Sequence, residues 1–289
     1  MILPSAKHAY LIIAHNEFEI LKVLLSMLDD ERNDIYLHFD KKAGNINLLE
    51  FQTRKSRLVI LDERIDVRWG DLSLTKVELL LFETAYNGGK YTYFHLLSGI
   101  DLPIQTQDYI HHFFDVNNGC EFVGYSSYAK LNRVLKYHLF TRYYKHDNII
   151  TRIIRRLCLF IQHCLHYQRK GDFTFYRGCN WVSITSDLVS VLLKRKKNIL
   201  KRFRYTNCSD EFFVQSILKD SILKDNICNL EDEWIGCMRL IDWNRGEPYV
   251  WKNEDFQLLK NSEKLFARKF SSEDMEIVRR VQKEFSNRM

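Results

Sequence analysis

The run His8-Ala9-Tyr10-Leu11-Ile12-Ile13-Ala14-His15, the segment Glu17 to Leu28, and the run Ile35-Tyr36-Leu37-His38-Phe39-Asp40 decide the fold. The first run is short and apolar, the mark of a strand buried on both faces. In Glu17 to Leu28, residues Ile20, Leu21, Leu24, Leu25 and Leu28 share one helical face. A second strand follows at Ile35 to Phe39 and is closed by Asp40-Lys41-Lys42. Strand, helix and strand at this spacing make a βαβ unit, the crossover that parallel neighbours require. The expected fold class is therefore α/β, with a mostly parallel central sheet flanked by helices.

Working outward, Leu58 to Leu61 reads as a third strand, Ser73 to Tyr86 as a helix and Tyr91 to Ser98 as a fourth strand. Further on, the pattern predicts strands over Glu121–Tyr125, Asn180–Thr185 and Cys237–Ile241. It predicts helices over Ile149–Tyr167, Asp187–Lys196, Asn253–Ser262 and Glu273–Phe285. Asp210 to Leu218 reads as a helix behind Ser209 as its N-cap, with two acids in the first turn. No repeat and no Pro/Gly/Ser linker interrupts the chain, so residues 1–289 are expected to form a single domain.

The 289 residues carry 43 Lys+Arg against 37 Asp+Glu, a net charge of +6, and are 46% hydrophobic. That composition excludes disordered and collagen-like classes. No apolar run approaches the ~18 residues of a membrane-spanning helix. Met1 to Lys7 leads straight into the first strand, so no signal peptide is expected. The seven cysteines are scattered, odd in number and free of any C-x-x-C pair. This argues against a zinc site and for a reducing, cytoplasmic setting. The basic surplus leaves four readings open: an anionic substrate, an anionic membrane, nucleic acid, or no partner.

Ligands of open parallel sheets sit beyond the carboxyl ends of the strands. His15 follows the first strand and Asp40 the second, where they can hold a ribose hydroxyl and a base edge. The competing reading makes His15 a helix cap and Asp40 the start of a turn. No G-x-G-x-x-G and no P-loop occurs. Glu211, in Ser209-Asp210-Glu211, is a candidate general base beside a positive helix end; ordinary acidic capping is the alternative. Arg268 and Lys269 lie inside the apolar flanks of Leu265 to Phe270. They can be aimed at an anion such as a departing diphosphate, or can decorate a helix end. Arg239 and Arg245 are further candidate cations. Trp181, Trp234, Trp243 and Trp251 suit either a sugar ring or the core.

Six segments, in order, resemble glycosyltransferase family 14, the core-2/I-branching β-1,6-N-acetylglucosaminyltransferases and the peptide O-xylosyltransferases. They are His8–His15, Ile35–Lys42, Val67-Arg68-Trp69-Gly70, Leu96–Ile104, Ser209-Asp210-Glu211-Phe212-Phe213 and Leu265–Phe270. The resemblance implies a GT-A-like fold. It also implies a UDP-sugar donor bound by residues 1–118, and a catalytic, acceptor-binding half over residues 119–289. Glu211 matches the family's base, and His15 and Asp40 match its nucleotide contacts. Lys269 and Arg245 match the cations that neutralise the diphosphate, with Arg268 and Arg239 as neighbours in reserve. Glu121, Trp181, Trp243 and Asp101 fall to the acceptor side.

The resemblance implies inverting transfer, N-acetylglucosamine in β linkage, with no metal and no other cofactor. The sequence supports metal independence separately, since it holds no D-x-D motif to carry a cation on the diphosphate. With neither anchor nor disulfides, the chain is expected to be a bacterial enzyme of surface-polysaccharide synthesis with a glycan acceptor carried on a lipid. UDP-xylose is the alternative donor. A non-catalytic basic module on membrane or nucleic acid is the rival from another class, and nucleic acid is not expected as a partner. The stretch from Thr151 to Lys170 has an apolar face edged by arginines. It reads as an in-plane membrane helix or as a core helix with a solvated face. The basic run from Lys194 to Arg204 reads as a solvated face or as part of the same membrane-facing surface.

Overall fold

The computed structural model describes residues 7–127, 130–145, 148–169 and 174–286. Met1 to Ala6, read above for a leader, and Lys170 lie outside the described residues. Among the described residues eight strands form two sheets: β1 (His8–Ala14), β2 (Asn33–Phe39), β3 (Arg57–Ile60), β4 (Tyr93–Ser98), β5 (Asp101–Pro103), β6 (Ser183–Thr185), β7 (Arg239–Ile241) and β8 (Phe266–Arg268). The large sheet has the order β3-β2-β1-β4-β6 and the small one β5-β8-β7. Strands β1 to β4 run parallel, and β6 closes the edge antiparallel to β4. The expected α/β class with a mainly parallel, helix-flanked sheet is what the chain adopts.

The helices are α1 (Phe18–Leu28), α2 (Leu72–Gly88), α3 (Gln107–Val116), α4 (Asn132–Leu135), α5 (Ile149–Cys164) and α6 (Ser186–Lys194). They continue with α7 (Lys196–Arg202), α8 (Phe213–Lys219), α9 (Glu233–Cys237), α10 (Phe256–Lys260) and α11 (Met275–Phe285). All seven residues of β1 are buried because β2 and β4 flank it and helices cover both faces. Ala9, Leu11 and Ile13 join the core built with α2, α6 and α8. Tyr10, Ile12 and Ala14 join the opposite core, with α1, α3 and α11. This alternation is the period of two in a central strand.

Both sheets draw on both halves of the chain. β6 pairs with β4, and β8 pairs with β5, with Arg268 opposite Asp101. The register Ala14↔Phe39 and Ile13↔Ser98 aligns the carboxyl ends of β1, β2 and β4 on one rim.

Several predicted elements take another form. Glu121 to Tyr125 makes only isolated bridges, Glu121↔Ile227 and Phe122↔Ser183. At Gly124 the chain packs so closely on residue 233 that an added Cβ would lie 2.4 Å from the Glu233 carbonyl oxygen. The strand read over Asn180–Thr185 shrinks to β6. Cys237 belongs to α9, which ends at Met238 in the left-handed region before β7 begins. Helix α3, absent from the sequence reading, is capped by the Thr106 hydroxyl, which accepts from the Tyr109 amide at 3.2 Å. The helix expected behind Ser209 is split into a 3-10 turn, Ser209–Glu211, and α8.

Candidate active site

The turn that carries Glu211 is held from three sides. Cys208 sits at φ 56°, and this left-handed kink starts the turn in place of a Ser209 cap. The Ser209 hydroxyl is instead 2.8 Å from that of Thr75 on α2. The Cys208 amide donates to the Gly70 carbonyl at 3.0 Å. Gly70 has φ +76°, and a Cβ there would meet the Asn207 side chain at 2.7 Å, so the approach needs glycine. Phe212 and Phe213 anchor the turn in the core. The Gly178 amide donates to the Glu211 carbonyl at 2.9 Å.

The Glu211 carboxylate is partly exposed and meets two guanidiniums. Arg133 Nη1 donates to its Oε2 at 3.0 Å and Arg177 Nε at 2.7 Å. Beneath it, burial and then the Glu211 charge push the Asp210 carboxyl above its ordinary range. Glu78 on α2 is fully buried, and burial followed by the Asp210 charge raises its pKa well above the usual carboxylate value. Burial also raises half-buried Glu233, which Arg177 counters and Glu211 reinforces. Glu211 is thus the solvent-facing member of an acidic group threaded by two arginines. Arg133, Arg177, Glu78 and Glu233 carry no sequence signal of their own; they meet only because α4, the segment before β6, α2 and α9 converge.

The second cluster lies at the carboxyl rim. The Asp40 amide donates to the Ala14 carbonyl at 2.8 Å, which brings Asp40 beside His15. Asp40 is buried, and its Oδ1 accepts from the Lys42 amide at 2.8 Å, so it does start a turn. His15 does not cap α1; Glu17 occupies that position. His15 reaches solvent, yet partial burial lowers its pKa; Asp40 opposes this, while Lys42, Arg268 and Lys145 add to it. Lys269 is half-buried, and burial, Arg268 and Lys145 all lower its pKa. His15, Asp40, Arg268 and Lys269 therefore share one neighbourhood, to which the fold adds Lys145. Among the described residues no carboxylate pairs with Lys269, and Asp40 contributes its charge from beneath the surface.

Val67-Arg68-Trp69-Gly70 joins the two clusters. Gly70 braces the Glu211 turn, while exposed Trp69 packs edge-on to Tyr144 at 5.5 Å with the Lys145 ammonium 5.5 Å from its ring.

Other expected contacts are placed differently. Arg239 is 1% exposed. Its guanidinium donates to the Cys237 carbonyl at 2.8 Å, the Val182 carbonyl at 3.2 Å and the Ser183 hydroxyl at 3.1 Å. It ties β7 to the large sheet and is not a donor-binding group. Asp101 is buried, accepting from Arg268 Nη1 at 2.7 Å and from the Ser98 amide at 2.8 Å. It positions Arg268 and is closed to an acceptor. Trp181 is buried under the same guanidinium, 4.6 Å from its ring, which leaves no face for a sugar. Trp243 is 54% exposed and open. Arg245 is exposed but engaged by Asp242 at 2.6 Å and Asp255 at 2.7 Å, above the Tyr249 ring at 4.0 Å. Tyr249 in turn accepts the Lys269 amide through its carbonyl, so Arg245 stands one residue layer from Lys269.

Glu121 is fully buried, and its carboxylate takes the Thr185 amide at 2.9 Å and the Thr185 hydroxyl at the start of α6. It fastens β6 and α6 from within the core. Burial pushes its pKa up to about 7. A carboxyl whose folded pKa exceeds its unfolded value binds the extra proton in the native state. Stability then falls as pH rises from about 4 to about 7, by about 1.4 kcal/mol per pH unit, and stays reduced above that. Glu121→Gln removes this slope. The variant should lose less stability than the parent between pH 5 and pH 8 in urea titrations; parallel losses would show that Glu121 is ionised throughout.

Xylosyltransferase 2 of Homo sapiens is 23% identical over 291 residues, covering 93% of this chain and 32% of that protein. The Canis lupus familiaris protein of the same name gives the same figures. Xylosyltransferase oxt of Drosophila melanogaster is 25% identical over 270 residues, covering 86% of this chain and 30% of its own length. The chain thus spans about a third of these relatives. The model of the Core-2/I-Branching enzyme family matches residues 8–275, which include the Glu211 turn, the carboxyl rim and Lys269. The chain belongs to the Core-2/I-Branching enzyme family, a family of glycosyltransferases.

Proposed function

We propose that the chain is a metal-independent, inverting glycosyltransferase that moves a sugar from a UDP-sugar to a hydroxyl of a glycan acceptor. The observation that carries this reading is the pairing of a solvent-facing Glu211, held by Arg133 and Arg177, with a rim where Lys269 has no carboxylate partner among the described residues. The acceptor oxygen attacks the anomeric carbon as Glu211 takes its proton. The bond from that carbon to the diphosphate breaks, and its electron pair stays on the departing UDP. Attack opposite the leaving group inverts the anomeric centre, so one base suffices. Lys269, backed by Arg268 and Arg245, meets the charge that develops on the diphosphate, the task a metal ion performs elsewhere. His15 and Asp40 flank the nucleotide, and Trp243 is open to the acceptor.

The donor sugar has two candidates. N-acetylglucosamine in β linkage follows from the branching side of the family. Xylose is favoured by the names of the relatives at 23–25% identity. A ligand that binds only the folded chain raises its melting temperature, by about 2.7 kcal/mol of stabilisation at a hundred times Kd. One of UDP-N-acetylglucosamine and UDP-xylose is expected to raise it by several degrees more than UDP alone. UDP release with that donor should persist in EDTA. No shift with any UDP compound would overturn the donor assignment. Activity lost in EDTA and restored by manganese would overturn the metal-free mechanism.

A further inference from the structure

Helix α5 is inside out for a surface helix. Its docked side is polar. The Gln162 side chain accepts from the Tyr137 amide at 2.7 Å and donates to the Tyr137 carbonyl at 3.0 Å, and Lys136 Nζ donates to the Gln162 carbonyl at 3.0 Å. Its outward side carries Ile149, Ile150, Ile153, Leu157, Phe160 and Ile161, with Ile154 at 41% exposure and Ile149 at 73%. Together with Leu165 they put eight exposed large apolar residues on one helix, where an ordinary monomer scatters such residues singly. Core packing therefore does not explain the apolar face.

We propose that this face lies in the plane of an anionic lipid bilayer. Three observations select that occupant. First, Arg152 and Arg156 project along one edge of the apolar arc, at i and i+4. That is where cations meet lipid phosphates when the apolar side is sunk among acyl chains. Second, exposed tyrosines surround the helix: Tyr143, Tyr144 and Tyr167, with Tyr167 stacked on Tyr137 at 5.8 Å. Aromatic rings with one wet end suit the headgroup boundary. Third, α5 has 16 residues and is amphipathic, and no helix among the described residues is long and apolar enough to cross a membrane.

The helix is also wired to the candidate site. Arg155 lies 4.3 Å over the Tyr144 ring, and Tyr144 packs on Trp69. The segment bonded to Gln162 continues from α4, which carries Arg133 to Glu211. The surface itself stands independently of the transferase reading.

The test is flotation of the full chain with vesicles of phosphatidylcholine alone or mixed with phosphatidylglycerol. The parent should float with the mixed vesicles, and less so at high salt, which screens the arginines. Ile153→Ser/Leu157→Ser/Phe160→Ser should lower the bound fraction by about tenfold or more. Arg152→Glu/Arg156→Glu should erase the preference for anionic lipid. Far-UV circular dichroism and the unfolding midpoint verify that both variants fold; all five positions lie on a solvent-facing surface. A parent that stays soluble with anionic vesicles overturns the proposal. So does equal flotation of the apolar variant, or a parent dimer in light scattering that the apolar variant splits, which would make a second copy the occupant.

Discussion

Glu211→Gln is expected to slow sugar transfer by about 10²–10⁴-fold, the range a general base supplies, while UDP-sugar binding stays near the parent level. Glutamine keeps the length of the side chain, and its carbonyl oxygen can still accept from Arg133 and Arg177, which meet Oε2 in the parent. What it cannot do is take the acceptor's proton. The fold should tolerate the change. Removing the Glu211 charge relieves buried Asp210, whose pKa burial and Glu211 together raise. Transfer rate and thermal shift with the donor, measured side by side, separate chemistry from binding. Near-parent turnover would remove Glu211 as the base.

Lys269→Ala is expected to cost about 10²–10³-fold in turnover, the usual loss when one group facing a developing negative charge is removed. Arg268 is tied to buried Asp101 and Arg245 to Asp242 and Asp255. Lys269 is the rim cation among the matched residues without such a partner among the described residues. Its pH dependence gives a second signature. Burial, with Arg268 and Lys145, holds its pKa below the ordinary lysine value. Only the protonated amine is cationic, so turnover should begin to fall at a lower alkaline pH than an ordinary lysine would set. Lys269→Arg should keep its activity to higher pH, because a guanidinium does not titrate there. Full turnover by Lys269→Ala would show that the diphosphate is neutralised elsewhere.

The first βαβ unit was legible because a central strand cannot hide its pattern. Seven buried residues in β1 need a near-continuous apolar run, and α1 needs its leucines at helical spacing. The rim was legible for the same reason, since parallel strands put their carboxyl ends together and His15 and Asp40 follow two of them. Glu121, Asp101 and Arg239 close buried bonds, and in a sequence such a polar residue looks like one that meets a ligand. Thr185, Arg268 and the Val182 carbonyl complete those bonds, and they lie 64, 167 and 57 residues away. The Glu211 turn was read as a helix start because the acids suit one. The left-handed Cys208 and the Thr75 contact make it a 3-10 turn instead.

The sequence by itself determined the parallel βαβ sheet, because that rests on local periodicity, while Glu211 became the candidate base only through the resemblance to a family motif. The tertiary structure decided which charges work together. Arg133 and Arg177 reach Glu211 from segments 78 and 34 residues distant, and Lys145 enters the rim through an aromatic contact with Trp69. It also decided that α5 turns its apolar face outward, since the helix docks through Gln162. Periodicity records that a helix has two faces; only the packing around it says which one the protein keeps and which it leaves to its surroundings.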